Sequence, residues 1–139
     1  MNKTSIDVAW NKKMSFKTSV SGHEIILDAN KSVGGEDKGP PPKPFMLVSL
    51  GGCTGMDVIS ILNKMRVEVE DFHVKVEGEL TEEHPKHYYK IHVIYEFKGK
   101  NLPMDKIKKA VKLSEDRYCG VSETYRQAME LTSEIKIIN

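Results

Sequence analysis

Residues 50–57 of the chain read Leu-Gly-Gly-Cys-Thr-Gly-Met-Asp and lie where a loop turns into the longest apolar run. The run predicts a helix over residues 45–65 that is apolar on nearly all sides and therefore buried in a core or an interface. Three glycines among five residues indicate a kink or a close backbone crossing at Cys53. Backbone N–H groups at a helix start would also stabilise the Cys53 thiolate.

The second of the two cysteines, Cys119, lies in the stretch Arg-Tyr-Cys-Gly-Val that separates two helical patterns. Two cysteines that each border a helix suggest a redox pair, although inert burial is an equally good interpretation, because free cysteine is among the most buried residue types. Asp57 follows Cys53 by one helical turn and would raise the thiol pKa if the two side chains faced each other. We prefer to interpret Asp57 as a surface or interface carboxylate.

Length and charge restrict the class of protein. A chain of 139 residues is long enough for one domain, here residues 1–139, with its own core. Its 21 basic and 20 acidic residues leave a net charge of +1, which gives no electrostatic basis for nucleic-acid binding. We find no signal sequence and no segment as long as a membrane span, so we expect a cytoplasmic protein that binds no membrane.

The alternation of apolar and polar residues predicts an antiparallel meander in the first third of the chain. Its three strands cover residues 4–10, 14–20 and 23–28. A loop rich in glycine and proline follows over residues 29–44. The later elements are two long strands around residues 72–76 and 91–97, a helix that starts near Pro103, a short helix over residues 121–129 and a last strand over residues 134–138.

Two patterns resemble cofactor sites without completing one. His84 and His87 have a spacing that some metal sites use, but no third or fourth ligand is evident and the segment reads as a solvated loop. The glycines of residues 51–55 lack the Lys-Ser/Thr ending of a phosphate-binding loop. We therefore predict neither a metal centre nor another cofactor.

Two longer stretches carry a resemblance to a known family. Residues 42–62 strongly resemble the OsmC/Ohr family of osmotically induced and organic hydroperoxide resistance proteins, and residues 113–122 resemble that family's second cysteine motif. The form Gly-Gly-Cys-x-x-x-Asp-Val-x-Ser-Ile-Leu is more similar to the YhfA-like branch than to the typical peroxidases. The resemblance implies an α+β fold in which antiparallel sheets wrap around long central helices of an intertwined homodimer, with sites at the subunit interface.

The resemblance also implies a thiol peroxidase of the oxidative stress response. Cys53 would attack an organic hydroperoxide as a thiolate and become a sulfenic acid. Cys119 would condense with the sulfenic acid to a disulfide, which an external dithiol would reduce.

Two departures from the family pattern indicate a slow enzyme. Peroxidases of this family place an arginine from the N-terminal region beside the reactive thiol, and a glutamate in the segment before it. Residues 1–65 contain no arginine, and Pro44 takes the place of the glutamate. The candidate replacements are Lys12, Lys13, Lys17 and Lys43 for the cation, and Glu36 for the carboxylate. The alternative is a non-enzymatic OsmC-like protein that binds or senses a small hydrophobic or electrophilic ligand at the dimer interface.

Overall fold

The structure is a computed structural model that describes residues 2–138. These residues form two compact units that divide after Met46, and each unit has its own three-stranded sheet. With three helices and two small sheets, the chain is of the α+β class that the resemblance implied. Its treatment as a single domain stays a prediction.

The N-terminal unit is the predicted antiparallel meander. Its strands are β1 (Ala9–Trp10), β2 (Phe16–Val20) and β3 (His23–Leu27), in the order β1-β2-β3. The first strand is shorter than expected. The Thr18 hydroxyl donates a hydrogen bond of 2.8 Å to the Asp7 carbonyl, so a side chain takes the place of a ladder bond there.

The predicted loop after β3 is organised around one carboxylate. Asp28 is 3% exposed and accepts hydrogen bonds from the backbone N–H groups of Ala29, Glu36 and Lys38. Burial raises the pKa of Asp28. The three hydrogen bonds together lower it by more than burial raises it, so the pKa lies below its usual value. A single side chain therefore satisfies backbone donors from the start and the middle of the loop.

The other elements belong mainly to the C-terminal unit. They are α1 (Phe45–Lys64), β4 (Asp71–Leu80), β5 (Tyr88–Lys98), α2 (Met104–Leu113), a π-helix (Ser114–Tyr118), α3 (Gly120–Arg126) and β6 (Glu130–Ile138). β4 and β5 are antiparallel, whereas β5 and β6 are parallel. The expectation of purely antiparallel sheets is therefore wrong for this unit. The chain returns between β5 and β6 through the helices, and such a crossover is long enough to join parallel strands.

Helix α1 passes through its glycines without interruption, and the glycines mark a close crossing with β4. A Cβ atom on Gly51 would lie 3.1 Å from Val76 Cγ2, and one on Gly55 would lie 3.3 Å from Val74 Cγ2. Of the two predicted alternatives, the close backbone approach is thus correct. The side of α1 that faces the core carries buried residues at intervals of four: Leu50, Thr54, Val58 and Leu62.

Another side of α1 carries apolar side chains that are exposed. Val48 is 65% exposed and Met56 is 77% exposed. Burial on nearly all sides is therefore not reached within one chain. The expectation that no segment has the length of a membrane span is also wrong, because α1 is long and apolar enough by length and composition alone. A soluble core helix meets the same two criteria, but an exposed apolar side of this size needs cover of some kind.

Candidate active site

The two cysteines and one carboxylate meet in the C-terminal unit. The sulfur atoms of Cys53 and Cys119 and a carboxylate oxygen of Asp57 all lie within 4.8 Å of one another. Cys53 and Asp57 are four residues apart and share one face of α1, while Cys119 reaches them from the start of α3. Both cysteines are free thiols, Cys53 half-buried and Cys119 only 2% exposed. Asp57 is half-buried and faces both thiols, so of the two interpretations the one in which its charge acts on Cys53 applies.

The predicted helix start at Cys53 is wrong. Cys53 lies two turns inside α1, which begins at Phe45, so its own helix offers it no free N–H groups. The available donors come from α3 instead. The backbone N–H of Val121 bonds to Cys53, and that of Ser122 donates to Cys119 Sγ at 3.3 Å.

The surroundings of Cys53 favour the thiol over the thiolate. Burial raises the pKa of Cys53, and the hydrogen bond with Cys119 raises it further. The negative charge of Asp57 adds a smaller increase, while the N–H of Val121 opposes it without reversing the sign. Since a free thiol already has a pKa near 8.5, Cys53 is protonated at neutral pH.

A buried chain of hydroxyl groups lies beside the cysteines. The Thr54 hydroxyl is 2.9 Å from the Tyr95 hydroxyl and 2.7 Å from the Ser114 hydroxyl. Ser114 in turn donates to the Asp57 carboxylate at 3.2 Å. The Tyr95 hydroxyl also donates to a Glu115 carboxylate oxygen at 3.2 Å, so the three hydroxyl protons are shared among four close contacts. The chain holds Asp57 in place.

The same cluster is tied to Cys119 through the backbone. The N–H of Cys119 donates to the Ser114 carbonyl at 2.8 Å, which is the last bond of the π-helix. Such insertions are frequent at functional sites. The sequence motifs do not single out Ser114, Tyr95 or Thr54 as neighbours of the cysteines. The available signal was a threonine on the otherwise aliphatic buried stripe of α1.

Three of the proposed substitutes for the missing arginine contact other residues of the N-terminal unit. Lys13 pairs with Glu36 at 3.3 Å, and Lys17 lies 3.9 Å from Glu24. Lys12 lies over the Trp10 ring, 5.3 Å from its centroid.

An apolar groove runs between the exposed side of α1 and strand β4. Its volume is about 850 Å³. It is lined by residues of both elements that include Val48, Gly52, Met56, Ile59 and Phe72. Neither cysteine is among the described residues that line this groove, so it is a separate feature of the same helix.

Comparisons with known proteins agree with this description. The model of the OsmC-like protein family matches residues 35–134, which include both cysteines. Protein YhfA of Escherichia coli strain K12 is 34% identical over 132 residues, which cover 94% of this chain and 96% of that protein.

Solved structures show the same fold. The crystal structure of a hypothetical protein from Aquifex aeolicus VF5 has a TM-score of 0.83 and 32% identity, and the alignment covers 100% of each chain. An organic hydroperoxide resistance protein OsmC from Legionella pneumophila has a TM-score of 0.68 at 14% identity, with 98% of each chain covered; at that identity the likeness concerns the fold alone. From its sequence motifs, its family match and its fold, the chain belongs to the OsmC-like protein family.

Proposed function

We propose that this protein is a slow thiol-dependent peroxidase that reduces organic hydroperoxides through Cys53 and Cys119. The observation that supports this most strongly is the separation of the two sulfur atoms, which is within 4.8 Å although they belong to different helical segments. At that separation, a sulfenic acid formed on one cysteine can be reached by the other after a modest local movement.

The proposed reaction has two steps. The Cys53 thiolate attacks the outer oxygen of the hydroperoxide, the O–O bond breaks, and the leaving alkoxide takes a proton to become an alcohol. The Cys119 sulfur then attacks the Cys53 sulfenic acid, so that a disulfide forms and water leaves. An external dithiol returns both cysteines to thiols.

The difference in exposure supports Cys53 as the attacking residue. Cys53 is half-buried and open enough for a small molecule to approach, whereas Cys119 is 2% exposed. Gly120 directly follows Cys119 at the border between the π-helix and α3, where a glycine lets the backbone change conformation and bring Cys119 toward its partner. This supports Cys119 as the resolving cysteine.

The electrostatics support a low rate. Burial and the neighbouring Cys119 raise the pKa of Cys53, so only a small fraction is thiolate at neutral pH. No arginine of residues 1–65 is available to stabilise that thiolate or to bind the peroxide oxygens. By analogy with the loss of one oxyanion-hole donor, we expect Cys53 to be oxidised about 10²–10³-fold more slowly than the reactive cysteine of an arginine-containing relative.

The same raised pKa favours a second candidate function, in which the protein binds or senses a ligand without turnover. The apolar groove of about 850 Å³ would suit a small hydrophobic molecule. The cysteines would then react with oxidants or electrophiles only occasionally. The rate of Cys53 oxidation distinguishes the two functions, because a sensor need not exceed the reactivity of free cysteine.

We further propose that the protein is a cytoplasmic homodimer in which the apolar groove and the exposed side of α1 are covered by a second copy. The support is the exposure of Met56 at 77% and Val48 at 65% on a helix of this length. Burying such side chains contributes roughly 1.5–3 kcal/mol each. An apolar partner surface over this side of α1 would therefore stabilise the dimer.

Single-turnover kinetics test the peroxidase proposal. Reduced protein is mixed with cumene hydroperoxide without any reductant, and hydroperoxide consumption is followed. We expect Cys53→Ser to abolish consumption and Cys119→Ser to retain one turnover with a sulfenic acid that dimedone labels. Equal loss in both variants would contradict the assigned roles, and a wild-type rate no higher than that of free cysteine would favour the sensing alternative.

A further inference from the structure

We infer that Cys53, Cys119 and Asp57 form a binding site for a thiophilic divalent cation, of which zinc is the best match. The sequence alone predicts no metal centre, because His84 and His87 have a spacing that some metal sites use but no third or fourth ligand is evident. The fold brings together ligands that are far apart in the sequence. Two sulfur atoms and one carboxylate oxygen converge within 4.8 Å from α1 and the start of α3.

The distances suit a tetrahedral ion. Zinc lies about 2.3 Å from thiolate sulfur and roughly 2.0–2.2 Å from carboxylate oxygen. At tetrahedral angles those bond lengths separate the ligand atoms by about 3.5–3.8 Å. The three atoms are within 4.8 Å of one another without an ion, so a contraction of at most about an ångström, within reach of side-chain rotation, completes the arrangement.

Two of the ligands are held in place before any ion binds. Cys53 and Asp57 project from one face of a continuous helix, four residues apart. The Ser114 hydroxyl donates to the Asp57 carboxylate at 3.2 Å and orients it. Hydrogen bonds of this kind to a ligating carboxylate are a regular part of metal sites and raise their affinity.

The charge of the cluster favours a cation. In their ligating forms the three groups carry three negative charges. The ion pairs found among residues 2–138 all use carboxylates other than Asp57. The three ligand atoms lie within 4.8 Å of one another, and a bound divalent ion would replace the mutual repulsion of their anionic forms with attraction.

The ligand types determine which ion is expected. Thiolates select soft and borderline ions such as zinc, whereas magnesium and calcium prefer oxygen ligands alone. Three protein ligands also leave the fourth tetrahedral position open to water or a small molecule. The site is therefore expected to bind Zn²⁺ and Co²⁺, and to discriminate against Mg²⁺.

The site goes beyond the proposed peroxidase but uses the same sulfur atoms. If the peroxidase chemistry holds, zinc-bound protein would react as two thiolates plus hydroperoxide plus two protons, giving disulfide, alcohol and water. The disulfide has no thiolate to offer, so the ion would leave. That consequence rests on the proposed function, whereas ion binding by the reduced protein does not.

Cobalt binding tests the inference without any hydroperoxide. The full-length protein is reduced with a phosphine, freed of metal by a chelator and titrated with Co²⁺ and then Zn²⁺. We expect a thiolate-to-cobalt charge-transfer band that saturates at one ion per chain, release of protons on binding, and loss of the band when zinc is added. Failure to develop the band would overturn the site while leaving the peroxidase proposal intact.

Variants locate the ligands. Cys53→Ser and Cys119→Ser should each abolish the band, and Asp57→Asn should weaken Co²⁺ binding by about tenfold or more. Circular dichroism verifies that each variant is folded. The matched controls are Asp105→Asn, an exposed carboxylate on α2, and the double replacement of His84 and His87 by alanine. Binding that survives both cysteine variants, or that disappears in the histidine variant, would overturn the assignment.

Discussion

The hydroxyl oxygens of Thr54 and Ser114 lie 2.7 Å apart, which joins the middle of α1 to the π-helix that leads into Cys119. Both residues are fully buried. Because Cys53 is the residue before Thr54, this one hydrogen bond connects the segments that carry the two thiols. Its partners Tyr95 and Asp57 extend it into a network in which the described buried side chains all have a hydrogen-bond partner.

Removing the Thr54 hydroxyl should destabilise the protein. Thr54→Val keeps the shape of the side chain but leaves the hydroxyls of Tyr95 and Ser114 without their shared partner. Ser114 keeps its bond to Asp57 and Tyr95 keeps its bond to Glu115, so the expected cost is that of two hydrogen bonds, about 1–3 kcal/mol of the free energy of unfolding in total, measured by urea denaturation. Thr124→Val is the matched control on an exposed face of α3 and should change stability by about 0.5 kcal/mol or less. Similar costs for both variants would contradict a structural role for the network.

The glycines of α1 should differ in their tolerance of side chains. Gly51→Val places its branches against Val76, since a Cβ there already lies 3.1 Å from Val76 Cγ2. Overpacking of this kind costs typically about 1–3 kcal/mol. At Gly52 a Cβ meets nothing within 4 Å in the single chain, so Gly52→Ala should gain up to about 1 kcal/mol from helix propensity. Thermal unfolding of both variants checks the difference, and a stable Gly51→Val variant would argue against the close crossing.

Acid should weaken the loop that Asp28 organises. The pKa of Asp28 is lowered in the folded state, so its contribution is present above the unfolded-state pKa and is lost as the pH falls through the folded-state pKa. Asp28→Asn should therefore reduce stability at pH 7, with a difference from the wild type that shrinks below about pH 4. Urea midpoints across this range provide the measurement, with exposed Asp7→Asn as control. A difference that does not depend on pH would contradict the account.

A charge on the exposed side of α1 should break up the proposed dimer. Met56→Glu introduces a carboxylate at a side chain that is 77% exposed in the single chain, and burying it against an apolar partner would carry a large desolvation cost. Met104→Glu, at a less exposed methionine on α2, should leave the oligomeric state unchanged. Sedimentation velocity at micromolar concentration distinguishes the two. A wild-type chain that sediments as a folded monomer would refute the dimer itself.

Local patterns predicted the elements well and their long-range pairing poorly. The meander, the long hairpin and helix α1 each follow from periodicity within a short window. The orientation of β6 does not, because strand alternation is the same for parallel and antiparallel pairing. The misplaced helix start at Cys53 arose because the three glycines were read as a border, although the apolar pattern already begins at Phe45.

In the site too, residues in local motifs were predictable and partners distant in sequence were not. The two cysteines were identified because cysteine is rare and each occupied a recognisable motif. The partners Tyr95 and Ser114 are 41 and 60 residues from Thr54 in sequence, and nothing in their own neighbourhoods distinguishes them from ordinary strand and helix residues. Asp57 was weighed correctly as a possible neighbour of Cys53, but only the fold shows which way its carboxylate points.

The most direct measurement is the intact mass of the reduced protein after treatment with one equivalent of cumene hydroperoxide. We predict a loss of two hydrogen atoms from a single chain, with peptide mapping that joins Cys53 to Cys119. The Cys119→Ser variant should instead gain one oxygen at Cys53. A wild-type chain that accumulates sulfinic acid on Cys53 while Cys119 stays reduced would contradict the proposed pair.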